Sequence, residues 1–259
     1  MAQSPRTKKS LGQHFLKDGN MIQKIVNAIS AEPGDRVVEI GPGAGALTGP
    51  LLQQFDDVVA VEIDQRMVQH LRKQYPELAI VEEDILKCDW QQFLKTEKPV
   101  HVVGNLPYYI TSQILFAIFE HRKFIKTALL MMQKEVAERI VASPHSKEYG
   151  ILSVQSQLMS TPEILFDVPP SVFSPPPNVD SSVVKFTFNK GELACNDANL
   201  KTVVRMAFNQ RRKKLSNALK RLDAELPAEE FDFSLRAEAL EPGMYEKLTA
   251  RLEQLGTLS

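Results

Sequence analysis

Val37-Val38-Glu39-Ile40-Gly41-Pro42-Gly43-Ala44-Gly45 is an apolar run interrupted by one acid and closed by three glycines in five residues. A short β-branched run of this kind reads as a buried strand. Glycines at its end let the chain turn sharply into a helix and bring its backbone close to a ligand. Outward from this point the rhythm repeats. Beside Arg36–Ile40, the stretches Val58–Glu62, Leu78–Val81, Val100–Gly104 and Ala128–Met132 read as strands. Helical patterns fall between them at Leu47–Phe55, Gln65–Tyr75, Trp90–Leu94 and Ser112–Glu120. Strands spaced by helices predict an α/β fold on a parallel sheet with right-handed crossovers. Ahead of it, Ile22, Ile25, Val26 and Ile29 keep helical spacing up to the Pro33-Gly34 turn.

After Gln133 the pattern changes. Helices are expected at Lys134–Val141 and Ile151–Met159, then an extended Glu163–Val168, a proline-rich stretch and an alternating strand Ser182–Phe188. Two late strands joined by an irregular connection suit an antiparallel pair at the sheet edge. The polar segment Asn189–Asn199 marks a boundary, giving domains at 1–190 and 191–259. Beyond it Leu200–Phe208, Arg212–Leu222 and Met244–Leu255 read as helices. One continuous helix through Leu222 would place Arg211 on the apolar stripe, so a break is expected near Asn209-Gln210, exposing the bases that follow.

With 259 residues, 43% of them apolar and 24% charged, the chain is excluded from the disordered, collagenous and disulfide-scaffold classes. No apolar run approaches the ~20 residues of a membrane span, and the first twenty residues lack the apolar core of a secretory signal. Cys88 and Cys195 form no metal-ligand pair, and the histidines show no metal spacing, so no metal is expected. A reducing, cytoplasmic setting suits that cysteine usage. The net charge of −1 averages opposed segments. Met1 to Lys24 holds five bases against one acid, Lys201 to Leu222 eight bases and no acid, and Asp223 to Pro242 seven acids with only Arg236. Such basic clusters suit a phosphate backbone, although a solvated helix face has the same composition.

The strand ends carry the chemistry. Gly41-x-Gly43-x-x-Ala46 satisfies the relaxed dinucleotide fingerprint, and Glu62, ending the second strand, suits a ribose diol. Glu39 before the turn and Asp84 past the third strand shift the reading from a nicotinamide dinucleotide to S-adenosylmethionine. The first would favour an ammonium group, and the second can accept from an adenine amino group. The fourth strand runs into Asn105-Leu106-Pro107-Tyr108. An adenine amino nitrogen is a poor nucleophile because its lone pair is delocalised. An Asn oxygen and a main-chain carbonyl accepting its two N–H bonds would favour a pyramidal nitrogen. Pro107 holds the turn while the Leu106 carbonyl stays an acceptor, and Tyr108 offers a stacking face for an extruded base.

These residues, with Gly12-Gln13-His14-Phe15-Leu16, Gln133-Lys134-Glu135-Val136, Phe173–Ser181 and Phe208–Lys213, resemble the rRNA adenine-N6 dimethyltransferases, most closely the bacterial small-subunit family. The resemblance implies a class I S-adenosylmethionine-dependent methyltransferase fold: Rossmann-like, with a mostly parallel seven-stranded sheet and a small all-helical C-terminal domain. It implies dimethylation of two adjacent adenosines in a hairpin loop near the 3′ end of 16S rRNA, on an assembling 30S subunit, by a cytoplasmic enzyme taken as a monomer. Cofactor contacts are expected from His14, Leu16, Glu39, Gly41, Gly43, Gly45, Glu62, Ile63, Asp84, Ile85 and Asn105. Phe173 is expected to close on the target base opposite Tyr108. Lys8, Lys9, Arg205, Arg211, Arg212, Lys213, Lys214, Lys220 and Arg221 are expected to contact RNA. The family often carries Asn where His14 stands. The large-subunit methyltransferases, and an assembly factor acting mainly by binding, are the rival readings.

Overall fold

The computed structural model describes residues 14–222 and 227–258. Lys8 and Lys9 lie outside the described residues. In chain order the elements are β1 (Phe15–Leu16), α1 (Gly19–Asn27), β2 (Arg36–Ile40), α2 (Thr48–Gln54), β3 (Asp57–Val61), α3 (Gln65–Gln74), β4 (Ala79–Val81), α4 (Gln91–Leu94), β5 (Val100–Asn105) and α5 (Thr111–Glu120). There follow β6 (Thr127–Gln133), α6 (Lys134–Val141), α7 (Ile151–Met159), β7 (Thr161–Val168), β8 (Phe173–Ser174), β9 (Ser181–Thr187), α8 (Asp197–Asn209), α9 (Leu215–Ala218) and α10 (Pro242–Gln254).

Seven strands form one sheet in the order β4-β3-β2-β5-β6-β9-β7. Strands β4, β3, β2, β5 and β6 run parallel, and β9 pairs antiparallel with β6. This is the α/β fold expected from the strand rhythm, with the mostly parallel seven-stranded sheet that the resemblance implies. The central strands are buried on both faces, which is why they read as unbroken β-branched runs. Side chains start two of the flanking helices: the Asp18 carboxylate accepts from the Met21 N–H, and that of Asp64 from the Arg66 N–H. Gly104 has a stricter reason to be glycine. A Cβ there would stand 2.8 Å from the Ile40 carbonyl oxygen on the neighbouring strand. At the amino end of β5, buried His101 is satisfied on both ring nitrogens, by Asp35 at 2.9 Å and Thr127 at 2.7 Å.

The chain divides into two compact units, residues 1–137 with 163–188, and residues 138–162 with 189–259. The expected division at 190 falls beside the last of these boundaries, but it assigned 138–162 to the first domain. Helix α7 instead packs with α8 and α10. The second unit gathers around Tyr149, Phe208 and Tyr245, whose rings lie 6.0 and 5.9 Å apart in sequence. The Tyr149 and Tyr245 hydroxyls donate to the Leu240 and Ala237 carbonyls. The break expected near Asn209-Gln210 occurs there, since α8 ends at Asn209. The helix expected over Arg212–Leu222 is reduced to α9 and one 3-10 turn. Its backbone turns to distant partners: the Leu215 N–H donates to the Leu235 carbonyl and the Ser216 N–H to that of Phe233.

Candidate active site

The carboxyl ends of the parallel strands open on a cavity of about 280 Å³, where ligands bind in open α/β sheets. His14, Leu16, Glu39, Gly41, Gly43, Glu62, Ile63, Asp84, Ile85 and Asn105 through Tyr108 all line it. Three of the walls come from strand ends and the turns that follow them. The fourth comes from β1, which pairs antiparallel with β8 through Phe15–Ser174 and Leu16–Phe173.

The glycine turn is shaped by what presses on it. Gly43 has φ +55°, and a Cβ there would lie 2.9 Å from the Phe15 ring. Its N–H donates to Glu62 Oε2 at 3.0 Å, while the Asp64 N–H donates to Glu62 Oε1 at 2.8 Å. Two backbone donors therefore hold the Glu62 carboxylate against the cavity. Burial nevertheless pushes its pKa up. Glu39 is 2% exposed and accepts from the Thr48 hydroxyl at 2.6 Å. Burial raises its pKa to about 7, the Thr48 hydrogen bond opposes that rise, and the charge of Glu62 adds to it. The Asp84 carboxylate accepts from the Leu86 N–H, and the Ile85 carbonyl from the Trp90 indole at 3.0 Å. That fixes the peptide plane of the turn after β4. Trp90 is itself stacked on His121, with ring centroids 4.5 Å apart.

At the end of β5, Asn105 Nδ2 donates to the His14 carbonyl at 3.1 Å. The amide nitrogen being so engaged, Oδ1 is the acceptor left to the cavity. The Pro107 carbonyl accepts from the Ile110 N–H and the Thr111 hydroxyl, closing the turn. Tyr108 Oη bonds Ser181 Oγ at 2.7 Å, and its ring stacks on His14 at 5.7 Å. His14 is itself held by Nδ1 on the Pro175 carbonyl.

Three expected site residues are placed elsewhere. Gly45 does not line the cavity; it packs beneath Leu71 and Tyr75, so its place is structural. Phe173 is fully buried in the hydrophobic core behind β1 and does not line the cavity either, because its strand pairs with Leu16. Arg211 is occupied: Nε reaches Glu238 at 2.7 Å, and its other nitrogens donate to the Lys147 and Ser146 carbonyls. It pins a loop of its own unit. Arg205, Arg212, Lys213, Lys214, Lys220 and Arg221 are exposed. Sequence reasoning assigned no role to Thr48, Ser181 or Tyr109. Thr48 acts through Glu39, nine residues away across the glycine turn, Ser181 through the distant Tyr108, and Tyr109 stands in plain view beside Tyr108.

Residues 5–239 match the family model described as ribosomal RNA adenine dimethylase. The chain belongs to that family. A ribosomal RNA small subunit methyltransferase A of Prosthecochloris aestuarii is 45% identical, covering 96% of this chain and 95% of the relative. One from Salinibacter ruber is 46% identical, covering 96% and 86%. Among solved structures, a dimethyladenosine transferase from Plasmodium falciparum superposes with a TM-score of 0.80 at 28% identity, covering 94% of this chain and 98% of that one. The 23S rRNA methyltransferase ErmE gives 0.66 at 26% identity, covering 93% and 100%. As a member of the family the chain is an rRNA adenine dimethyltransferase with an S-adenosylmethionine-dependent fold. The cavity fits that cofactor: the buried Glu39 carboxyl, its pKa raised to about 7, has the neutral Thr48 hydroxyl as its hydrogen-bond partner, and Gly41 leaves open space where a Cβ would stand. Among the described residues no group of three or more His, Cys, Asp or Glu is placed to hold a metal ion, and no helix is long and apolar enough to cross a membrane.

Proposed function

We propose that this enzyme dimethylates N6 of two adjacent adenosines in the hairpin loop near the 3′ end of 16S rRNA. It acts on the assembling 30S subunit, as a cytoplasmic monomer. When bound, S-adenosylmethionine supplies an electrophilic methyl group on a sulfonium. Glu62, braced by the Gly43 and Asp64 N–H groups, is set to accept from its ribose hydroxyls. Glu39 faces its α-amino group, Asp84 and the backbone at Ile85 face the adenine edge, and Ile63, 56% exposed at the rim, covers the ring. His14, Leu16, Gly41 and Asn105 complete that wall.

The observation that carries the reading is the orientation of Asn105. Its amide nitrogen is committed to the His14 carbonyl, so Oδ1 can accept one N6–H of the target. The Leu106 carbonyl can accept the other, since the Leu106 N–H is tied to the Met131 carbonyl and holds the turn in place. Accepting both protons loosens the conjugation of the nitrogen lone pair and directs it away from the ring plane. No strong base is needed, because the nitrogen sheds its proton readily once alkylated. Tyr108, fixed by Ser181 and His14, presents its remaining face to the extruded base. The exposed Arg205, Arg212, Lys213, Lys214, Lys220 and Arg221, with Lys8 and Lys9, supply phosphate contacts.

Labelled S-adenosylmethionine and unmethylated small subunits should yield two methyls on each of two adjacent adenosines. Asn105→Ala should abolish transfer and retain particle binding. Incorporation into 23S rRNA, or none into competent small subunits, would overturn the proposal.

A further inference from the structure

Tyr109 lines the catalytic cavity, yet 58% of it is exposed to solvent. An aromatic ring left open at the mouth of a nucleic-acid site can take a base on its face. Its neighbour makes the contrast. Tyr108 spends one face on His14 and its hydroxyl on Ser181. Tyr109 follows on the same turn, whose backbone is locked by the two donors to the Pro107 carbonyl. The turn therefore sends one ring inward and holds the next at the rim.

We infer that Tyr109 is the stacking platform for the nucleotide next to the one being methylated. This rests on the function proposed above. Drawing an adenosine into the cavity breaks its stack with the adjacent base, and that base is left at the mouth with one apolar face in water. A tyrosine ring there replaces the lost partner. The substrate chemistry gives the contact a second use. Two adjacent adenosines must each occupy the cavity in turn, so the nucleotide on a given side of the target is the other adenosine in one event and a different loop nucleotide in the other. Stacking reads the π-face and not the Watson–Crick edge, so a single platform serves both. A hydrogen-bonding contact to an adenine amino group would serve only one of the two.

The test is Tyr109→Ala assayed on unmethylated small subunits, with and without an abasic flanking nucleotide in the reconstituted rRNA. The expected result is a KM for the subunit raised about tenfold, the range of one base–aromatic stack, with the effect falling on KM and not kcat. Tyr109→Trp should restore it, and the melting-temperature shift given by S-adenosylmethionine should match the wild type. The abasic nucleotide should weaken the wild type by a similar factor and Tyr109→Ala hardly at all. An unchanged KM in Tyr109→Ala, or an abasic penalty equal in both proteins, overturns the inference while the function stands. Failure of the wild type to methylate the subunits removes both.

Discussion

With the cofactor placed as proposed, Glu39 should make its binding a proton-release reaction. The carboxyl is buried beside Thr48, and its pKa stands at about 7 against an ordinary 4.5. A cationic α-amino group placed against it would return it toward the ordinary value. At pH 6 the free site is about nine-tenths protonated and the complex almost fully ionised, so binding expels close to one proton. The apparent affinity should then rise about fivefold between pH 6 and pH 7. Titration calorimetry in buffers of different ionisation enthalpy reads the proton directly. Glu62 and Tyr75 also sense this acidic pocket, and both have pKa values raised chiefly by burial. Glu39→Gln separates their share, because it retains them and should release nothing. The same group shapes stability in the unliganded enzyme. Its folded pKa exceeds the unfolded one, so its stabilisation is complete below pH 4.5 and lost as the pH rises through 7. That loss is about 3 kcal/mol at most. Binding without proton release in the wild type, or equal release in Glu39→Gln, refutes the reasoning.

Three further perturbations follow from the structure. Gly43→Ala forces a side chain into a left-handed turn and against Phe15, at a cost of about 1–2 kcal/mol for the backbone alone. Cofactor affinity should fall at least tenfold by calorimetry, and Phe15→Ala combined with it should recover only the contact part; strict additivity in that cycle would refute the clash. Arg211→Ala should lower the melting temperature by leaving Glu238 and two carbonyls without their donor. Arg212→Ala should leave the melting temperature unchanged and reduce the salt dependence of RNA binding; the opposite pattern would exchange their roles.

What could be read from the sequence was what depends on near neighbours. The strands over Arg36–Ile40 and Val100–Gly104 were legible because both faces are buried, and the ligand-facing Glu39, Glu62 and Asn105 because each stands at or beside the end of such a strand. The contacts of Arg211 were not legible, because its guanidinium is claimed by Ser146, Lys147 and Glu238, none of them close in sequence. The burial of Phe173 was hidden for a similar reason. A ring beside three prolines looks available until its strand is found paired to Leu16, at the other end of the domain. The helix expected over Arg212–Leu222 had adequate periodicity, but the N–H groups of Leu215 and Ser216 donate to the Leu235 and Phe233 carbonyls. The grouping of α7 with α8 and α10 likewise depends on packing that no local pattern encodes.

The short β1–β8 ribbon has a consequence for the enzyme's synthesis. His14 and Phe15 form a wall of the catalytic cavity, and they are made before the partners that hold them. Those partners, Ser174 and Pro175, lie about 160 residues further along the chain. Until that stretch is made, the glycine turn and Asn105 exist without the segment that covers them. The cavity is therefore completed late, after its catalytic strand ends are already in place. A ribosome building this enzyme must pass residue 175 before the wall formed by β1 has the partners that hold it.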